Sequence, residues 1–268
     1  MSVNFSFKDN YSINDLLDIM RILRAPGGCP WDAEQTHESI RSNFIEEVYE
    51  AIDAIDKRDN LLLREELGDV LMQVVFHAEI ERENGGFSFD DVADTVCKKL
   101  IERHPHVFGN VSVNSTEDVL KNWDDIKKKS KKQNTTQTLV DVPLTLPALM
   151  RSSKVQHRAA RVGFDWDDYH GALEKLDEEI KELKQAIELK NRQDIEEELG
   201  DVLFSAVNTA RLLDIDAENA LTKACNKFIN RFSLVEKLAL EKGLKLDEQP
   251  LSVLDELWDE AKKKNWEA

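Results

Sequence analysis

Apolar residues recur at helical spacing along most of this chain, and no stretch reads as a strand. The first dozen residues read as a loosely held arm. The spacing predicts a short helix over residues 14–23, stopped by Ala25-Pro26-Gly27-Gly28, and then a loop through Cys29-Pro30-Trp31-Asp32. A long helix follows over 36–55, where Ile40, Phe44, Val48, Ala51, Ile52 and Ile55 make one apolar face. Lys57-Arg58-Asp59-Asn60 is a turn. Helices are predicted over 62–83, ended by Asn84-Gly85-Gly86, over 89–103, closed by His104-Pro105-His106, and over 116–129. Residues 127–138 are basic and polar without apolar periodicity and read as a linker. After Pro143 and Pro147 a second half begins, with helices over 169–190, 194–213, 217–242 and 251–265. The organisation is an arm (1–12), a first helical domain (13–127), a linker (128–139) and a second helical domain (140–268).

Two domains are expected because a heptapeptide occurs twice. Glu65-Glu66-Leu67-Gly68-Asp69-Val70-Leu71 returns as Glu197-Glu198-Leu199-Gly200-Asp201-Val202-Leu203, at an offset of 201 − 69 = 132 residues. Each copy sets Glu66/Asp69 or Glu198/Asp201 on one helix face at i,i+3, where like charges repel unless something positive lies between them. Upstream of each copy lies another acidic helix, with Glu46-Glu47-Val48-Tyr49-Glu50 in one half and Glu178-Glu179-Ile180-Lys181-Glu182 in the other. A short connection makes the two helices antiparallel neighbours, so the pairs Glu47/Glu50 and Glu66/Asp69 face each other, as do Glu179/Glu182 and Glu198/Asp201. Four carboxylates in one pocket suit a hard cation, Mg²⁺ or Mn²⁺. The motif has no Cys or His, which counts against zinc and against an oxidative di-metal bundle. Glu34-x-x-His37 resembles a di-iron string, but it has no second-half counterpart and reads as chance.

The first acidic helix has little room for a solvated face. Only Glu65, Met72 and Glu79 form a plausible outer edge, so the helix is expected to be packed on most sides. Gly68 and Gly200 cost helix stability inside the motif, which points to close approach of a backbone or a bound ligand. The repeat extends to Lys99-x-x-x-Arg103 against Lys227-x-x-x-Arg231 and to Trp123-x-x-x-Lys127 against Trp258-x-x-x-Lys262. Lys/Arg pairs suit phosphates, and a Trp beside a Lys suits a base or ribose.

Composition narrows the function classes. The chain has 268 residues, 41% apolar and 33% charged, so it folds and is not disordered. A net charge of −17 argues against a sequence-independent grip on nucleic acid but leaves a phosphorylated small substrate open, because bound metal reverses the local sign. No apolar run is long enough to span a membrane and the start shows no secretory signal. Cys29, Cys97 and Cys225 form no C-x-x-C pair, which fits a reducing, cytoplasmic setting; Cys97 and Cys225 are expected as small buried side chains.

In combination, E-E-x-x-E with E-L-G-D, Arg103-His104-Pro105-His106-Val107-Phe108 and Gly28-Cys29-Pro30-Trp31-Asp32 resemble the MazG family of nucleoside triphosphate pyrophosphohydrolases, in its form with two tandem domains. The resemblance spans nearly the whole chain beyond the arm. It implies an all-α fold, a homodimer whose active sites are four-helix bundles, and Mg²⁺-dependent hydrolysis of NTPs and dNTPs to NMP and pyrophosphate. Carried over, the metal ligands are Glu179, Glu182, Glu198 and Asp201, with Glu47, Glu50, Glu66 and Asp69 as first-half equivalents. Nucleotide contacts fall on Lys175, Lys227, Arg231, Trp258 and Lys262, with Lys99, Arg103, Trp123 and Lys127 in the first half, and Glu178 is a candidate to orient water. Asn43 stands opposite Lys175, and Asp194 stands where some members of the family carry a basic residue, with Arg192 nearby. The second half is therefore expected to be the main catalytic unit. The competing expectation is a non-catalytic helical interaction module that needs no metal.

Overall fold

The computed structural model describes residues 5–116, 118, 119, 122, 123, 126 and 135–264. The described residues form helices and connecting turns, without strands. The chain divides into two compact units, Met1–Lys131 and Lys132–Ala268.

The first unit contains α1 (Ile13–Arg24), α2 (Pro30–Glu34), α3 (Arg41–Lys57), α4 (Asn60–Glu83), α5 (Phe89–Arg103) and α6 (Pro105–Phe108). Helix α1 ends where the backbone folds back on itself. Cys29 N–H donates to the Leu23 carbonyl at 2.7 Å, and a Cβ on Gly28 would lie 2.2 Å from the Ile22 carbonyl oxygen, so only glycine fits there. Helices α3 and α4 form an antiparallel hairpin through two residues. Arg58 takes the left-handed conformation (φ 55°), and Asp59 caps α4 by accepting from Leu61 N at 3.0 Å and Leu62 N at 3.1 Å. Ala51 and Ala54 are buried on α3, and such small side chains let the hairpin helices approach closely. The core of the unit is Met20, Ile40, Val75, Phe76 and Ile80, with Leu16, Leu17, Met72 and Phe89 against it.

The second unit contains α7 (Thr135–Val140), α8 (Ala148–Ala160), α9 (Tyr169–Leu189), α10 (Arg192–Leu212), α11 (Ala217–Glu241) and α12 (Leu251–Lys264). The α9–α10 hairpin repeats the turn of the first: Lys190 is left-handed (φ 57°) and Asn191 accepts from Gln193 N at 3.1 Å. These positions equal Arg58 and Asp59 plus 132, so the duplication includes the device that closes each hairpin. A core of Val235, Leu238, Ala239, Leu257 and Ala261 joins α11 to α12. Helix α8 is tied to α10 by Gln156, whose side-chain amide donates to the Phe204 carbonyl at 2.8 Å.

Several expectations change. The long helix predicted from residue 36 begins at Arg41, because residues 36–40 form a turn in which Thr36 N–H donates to Ser39 Oγ at 2.9 Å. Part of the supposed loop at Trp31 and of the supposed linker is helical, as α2 and α7, and α8 was not foreseen. The helix predicted over 116–129 falls largely outside the described residues. Glu79 is not at an outer edge; it is buried and bidentate with Arg82, at 2.8 and 2.5 Å. Cys97 and Cys225 are exposed, not buried.

Arg24 knits the first unit together. Its guanidinium donates to Glu83 at 2.8 Å and to the carbonyls of Asp32 (2.6 Å) and Gln35 (3.2 Å), and it stacks over Phe76 at 5.2 Å. Replacing it orphans two carbonyls and a carboxylate at once. Arg24→Met is expected to lower the unfolding free energy of the first unit by about 3 kcal/mol. Chemical denaturation followed by helical circular dichroism checks this, with the first unit read as the transition that Arg24→Met shifts, and a loss below about 1 kcal/mol would remove Arg24 from this role.

Candidate functional site: two carboxylate clusters

Each hairpin gathers the acids that the repeat predicted. One carboxylate oxygen from each of Glu47, Glu66 and Asp69 lies within 4.8 Å of the others, and so do those of Glu179, Glu198 and Asp201. The first residue of each trio comes from the first helix of the hairpin and the other two from the second. Glu50 and Glu182 complete the expected sets as neighbours, not as members of the trios. Glu50 lies against Glu66 and raises it, and Glu182 lies against Glu179 and is raised by it.

The electrostatics show the strain of holding these acids together. Partial burial, then the charges of Asp69, Glu50 and Glu66, raise the Glu47 carboxyl above the ordinary carboxylate range. Glu66 is raised by partial burial, then by Glu50 and Asp69, and Glu198 by partial burial, then by Glu179 and Asp201. Glu182 is raised first by its hydrogen bond to Glu179, with Lys175 opposing the shift. One difference between the two halves is a cation beside the acids. Lys175 Nζ lies 2.9 Å from Glu178 Oε1 and 2.8 Å from Glu179 Oε1, and these bonds raise the lysine. Asn43 occupies the matching place in the first half. Three convergent carboxylates, without Cys or His among them, are a donor set that fits a hard divalent cation.

Apart from Lys175, the residues expected to hold a nucleotide belong to other helices. Arg231 on α11 stacks over Trp258 on α12, 5.0 Å from the ring centroid, and Phe228 packs on the same indole at 5.0 Å. Arg103 stacks over Trp123 at 5.8 Å in the first unit, so the cation–indole pair is duplicated along with the acids. Lys262 bonds Asp259 at 2.8 Å, while Lys99 and Lys227 are exposed on their helices. Arg192 is exposed beside Asp194 at the start of α10. Lys127 lies outside the described residues. A Cβ on Gly68 or Gly200 would meet nothing within 4 Å, so no neighbour within either unit explains these glycines.

The chain as a whole is similar to known proteins at the same places. The family model described as "MazG nucleotide pyrophosphohydrolase domain" matches residues 35–108 and again 168–235. The chain belongs to the MazG family. It is 48% identical over 248 residues, 92% of its length and 94% of the relative's, to the nucleoside triphosphate pyrophosphohydrolase/pyrophosphatase MazG of Thermotoga maritima. It is 44% identical, over 94% of its length and 97% of the relative's, to the nucleoside triphosphate pyrophosphohydrolase of Escherichia coli K12. To the Mycobacterium tuberculosis enzyme of the same name it is 34% identical over 90% of its length and 65% of the relative's. Both MazG matches contain a complete acidic hairpin.

Sequence reasoning passed over one further cluster in the first MazG unit. His37 does not pair with Glu34; its partners are His77 and Glu81. Its Nδ1 lies 2.7 Å from His77 Nδ1 and its Nε2 lies 2.8 Å from Glu81 Oε1. With both rings neutral, His37 Nε2–H donates to Glu81 and His77 Nδ1–H donates to His37. The ring planes agree to 9° with centroids 5.0 Å apart, so the two nitrogens meet head-on, as in a hydrogen bond, and do not converge on a third point. Burial and the neighbouring His37 lower His77. No signal in one sequence pairs residues 37 and 77.

The raised carboxyls fix the sign of a pH effect in metal-free protein. Between the ordinary value of 4.5 and their folded values, these groups bind more protons in the native state than in the unfolded one. Their repulsion is therefore relieved as pH falls through that window and is fully present above it. In EDTA, Glu198→Gln is expected to melt higher than the wild type at neutral pH, with the difference shrinking toward pH 5. Thermal melts of both proteins across this range test it, and a pH-independent difference would show that Glu198 is not strained by its neighbours.

Proposed function

We propose that this MazG chain hydrolyses nucleoside triphosphates, both NTPs and dNTPs, to the monophosphate and pyrophosphate, and that the second unit is the main catalytic one. The observation that carries this reading is the pair of convergent carboxylate trios at duplicated positions, in a chain whose curated relatives are named as nucleoside triphosphate pyrophosphohydrolases. Glu179, Glu198 and Asp201, with Glu182 beside them, would hold Mg²⁺, for which Mn²⁺ can substitute; the first-half set is Glu47, Glu66 and Asp69 with Glu50. When bound, the ion supplies a nucleophilic water and neutralises charge on the phosphate oxygens. Attack falls on the α-phosphorus and breaks its bond to the bridging oxygen, so pyrophosphate leaves.

The remaining work belongs to side chains. Glu178, exposed next to Glu179, would accept a proton from the attacking water. Lys175, Lys227 and Arg231 take the negative charge of the departing pyrophosphate. Trp258 and Lys262 receive the base and ribose, Trp258 with one face already covered by Arg231. Lys99, Arg103, Trp123 and Lys127 are the first-half equivalents. No serine or cysteine nucleophile is needed.

A second copy of the chain is part of this reading. Leu199, Leu203 and Phe204 are exposed along α10, as are Leu67 and Leu71 along α4, next to the flanks that Gly68 and Gly200 leave open. Apolar surface of this kind beside a polar site is what a homodimeric four-helix bundle would cover. The acidic balance of −17 supports nucleotides in place of nucleic acid as ligands, and no helix among the described residues is long and apolar enough to cross a membrane. Three cysteines without a disulfide support a cytoplasmic setting.

With Mg²⁺, each NTP is expected to yield NMP and pyrophosphate together from the first turnover, and EDTA to stop the reaction. NDP and orthophosphate as first products would make the protein a γ-phosphatase, and no turnover together with no metal binding would favour the interaction module. Glu182→Ala is expected to lower turnover about 10²-fold or more, while Glu50→Ala keeps most of it. The reverse result would move the catalytic unit to the first half.

A further inference from the structure

We propose that Lys175 is a built-in counter-cation of the second acidic cluster, that an incoming divalent ion must displace it from Glu179, and that this displacement is what frees it to hold a phosphate. The proposal rests on the metal-binding reading above. It adds an order of events and a difference between the two halves.

Glu179 is the most enclosed of the second-half acids, with its side chain 7% exposed. Its Oε1 takes the Lys175 ammonium at 2.8 Å, while Glu178, 57% exposed, takes the same ammonium at 2.9 Å. The lysine lies one helical turn before both acids on α9, so the two bonds come from helix geometry and need no distant support. Glu179 is also one of the three acids that converge with Glu198 and Asp201. The buried carboxylate therefore has two suitors. An ammonium and a divalent ion on one carboxylate lie close enough to repel strongly, and enclosure reduces the screening. The ammonium is the one that moves, because its stem is flexible, it is 39% exposed, and Glu178 stays within its reach.

Two consequences follow from this competition. While Lys175 bonds Glu179 it is withheld from anions, so a divalent ion strengthens phosphate binding beyond its own charge. By linkage, phosphate then strengthens ion binding equally. In the first half Asn43 stands at the matching position, and among the described residues no lysine or arginine is ion-paired to Glu47, Glu66 or Asp69. Among the described residues that cluster has no internal competitor. The first half should load metal at lower concentration, and the second only as the ion outcompetes its lysine.

The test is calorimetric titration of the full-length protein with Mn²⁺ alone, with free Mn²⁺ counted by electron paramagnetic resonance. Wild type is expected to show a tighter and a weaker class of site, lost respectively in Asp69→Asn and Asp201→Asn. Lys175→Met should tighten the weaker class roughly tenfold and leave the other unchanged. Lys175→Arg should stay near wild type, and Asn43→Lys should loosen the tighter class. Inorganic pyrophosphate should bind Lys175→Met more weakly than wild type at saturating Mn²⁺, and equally poorly to both in EDTA. Unchanged or weaker Mn²⁺ binding in Lys175→Met would overturn the proposal. Mn²⁺ binding that survives both Asp69→Asn and Asp201→Asn would instead overturn the metal assignment, and the two failures are distinct.

Discussion

Each unit depends on holding several carboxylates against their mutual repulsion. Glu47 faces Glu66 and Asp69, and Glu179 faces Glu198 and Asp201, across a hairpin whose helices have no reason to place acids there for stability alone. Burial and like charge raise Glu47, Glu66 and Glu198, the signature of a site whose arrangement opposes the native state. What holds the acids in place is apolar and steric. The buried alanines Ala51 and Ala54, and Ala172 and Ala186 in the second unit, allow close helix approach, while the left-handed Arg58 and Lys190 fix where each hairpin turns. Local instability at the acids is thus carried by contacts a few turns away.

Around this constraint the two units have diverged. The first stabilises itself with charged networks that have no second-unit copy: Arg24 with Glu83, Glu79 with Arg82, and His37 with His77 and Glu81. The second has its own charged network, Arg211 with Asp165 and Asn208, beside a compact apolar seam between α11 and α12 and one lysine set among its acids. The arginine–indole pairs at Arg103/Trp123 and Arg231/Trp258 were kept in both. Duplication kept the acids and the stacked cation, and left the supporting chemistry free to change.

How much of this the sequence shows depends on the range of the interaction. Helices such as α5 and α9 follow from i,i+3/i+4 periodicity and strong caps, as at Ser88, which accepts from Asp91 N. The acidic trios follow from a repeated string plus a short connection, both local. Helix α8 was hidden because Pro143 and Pro147 read as the end of a linker and Arg151, Lys154 and Arg158 blur its apolar stripe. The four-residue α6 is too short to show a period. Glu79 was misplaced because burial of a glutamate depends on arginines brought to it by packing, among them Arg21, 3.9 Å away on another helix. The exposure of Cys97 and Cys225 could not be read from their matching positions, since correspondence between halves says nothing about which face is covered.

The two-residue turn has a kinetic consequence. Glu47 and Glu66 are 66 − 47 = 19 residues apart, and so are Glu179 and Glu198. Every member of a cluster therefore meets its partners through a small loop closure, which costs little chain entropy and proceeds quickly. Each cluster is assembled by the nucleation of its own hairpin, with low contact order, before distant helices need to dock. During synthesis the first hairpin can close while the second is still being made. Such a module can be copied whole, because everything needed to position its acids travels in one short piece of chain.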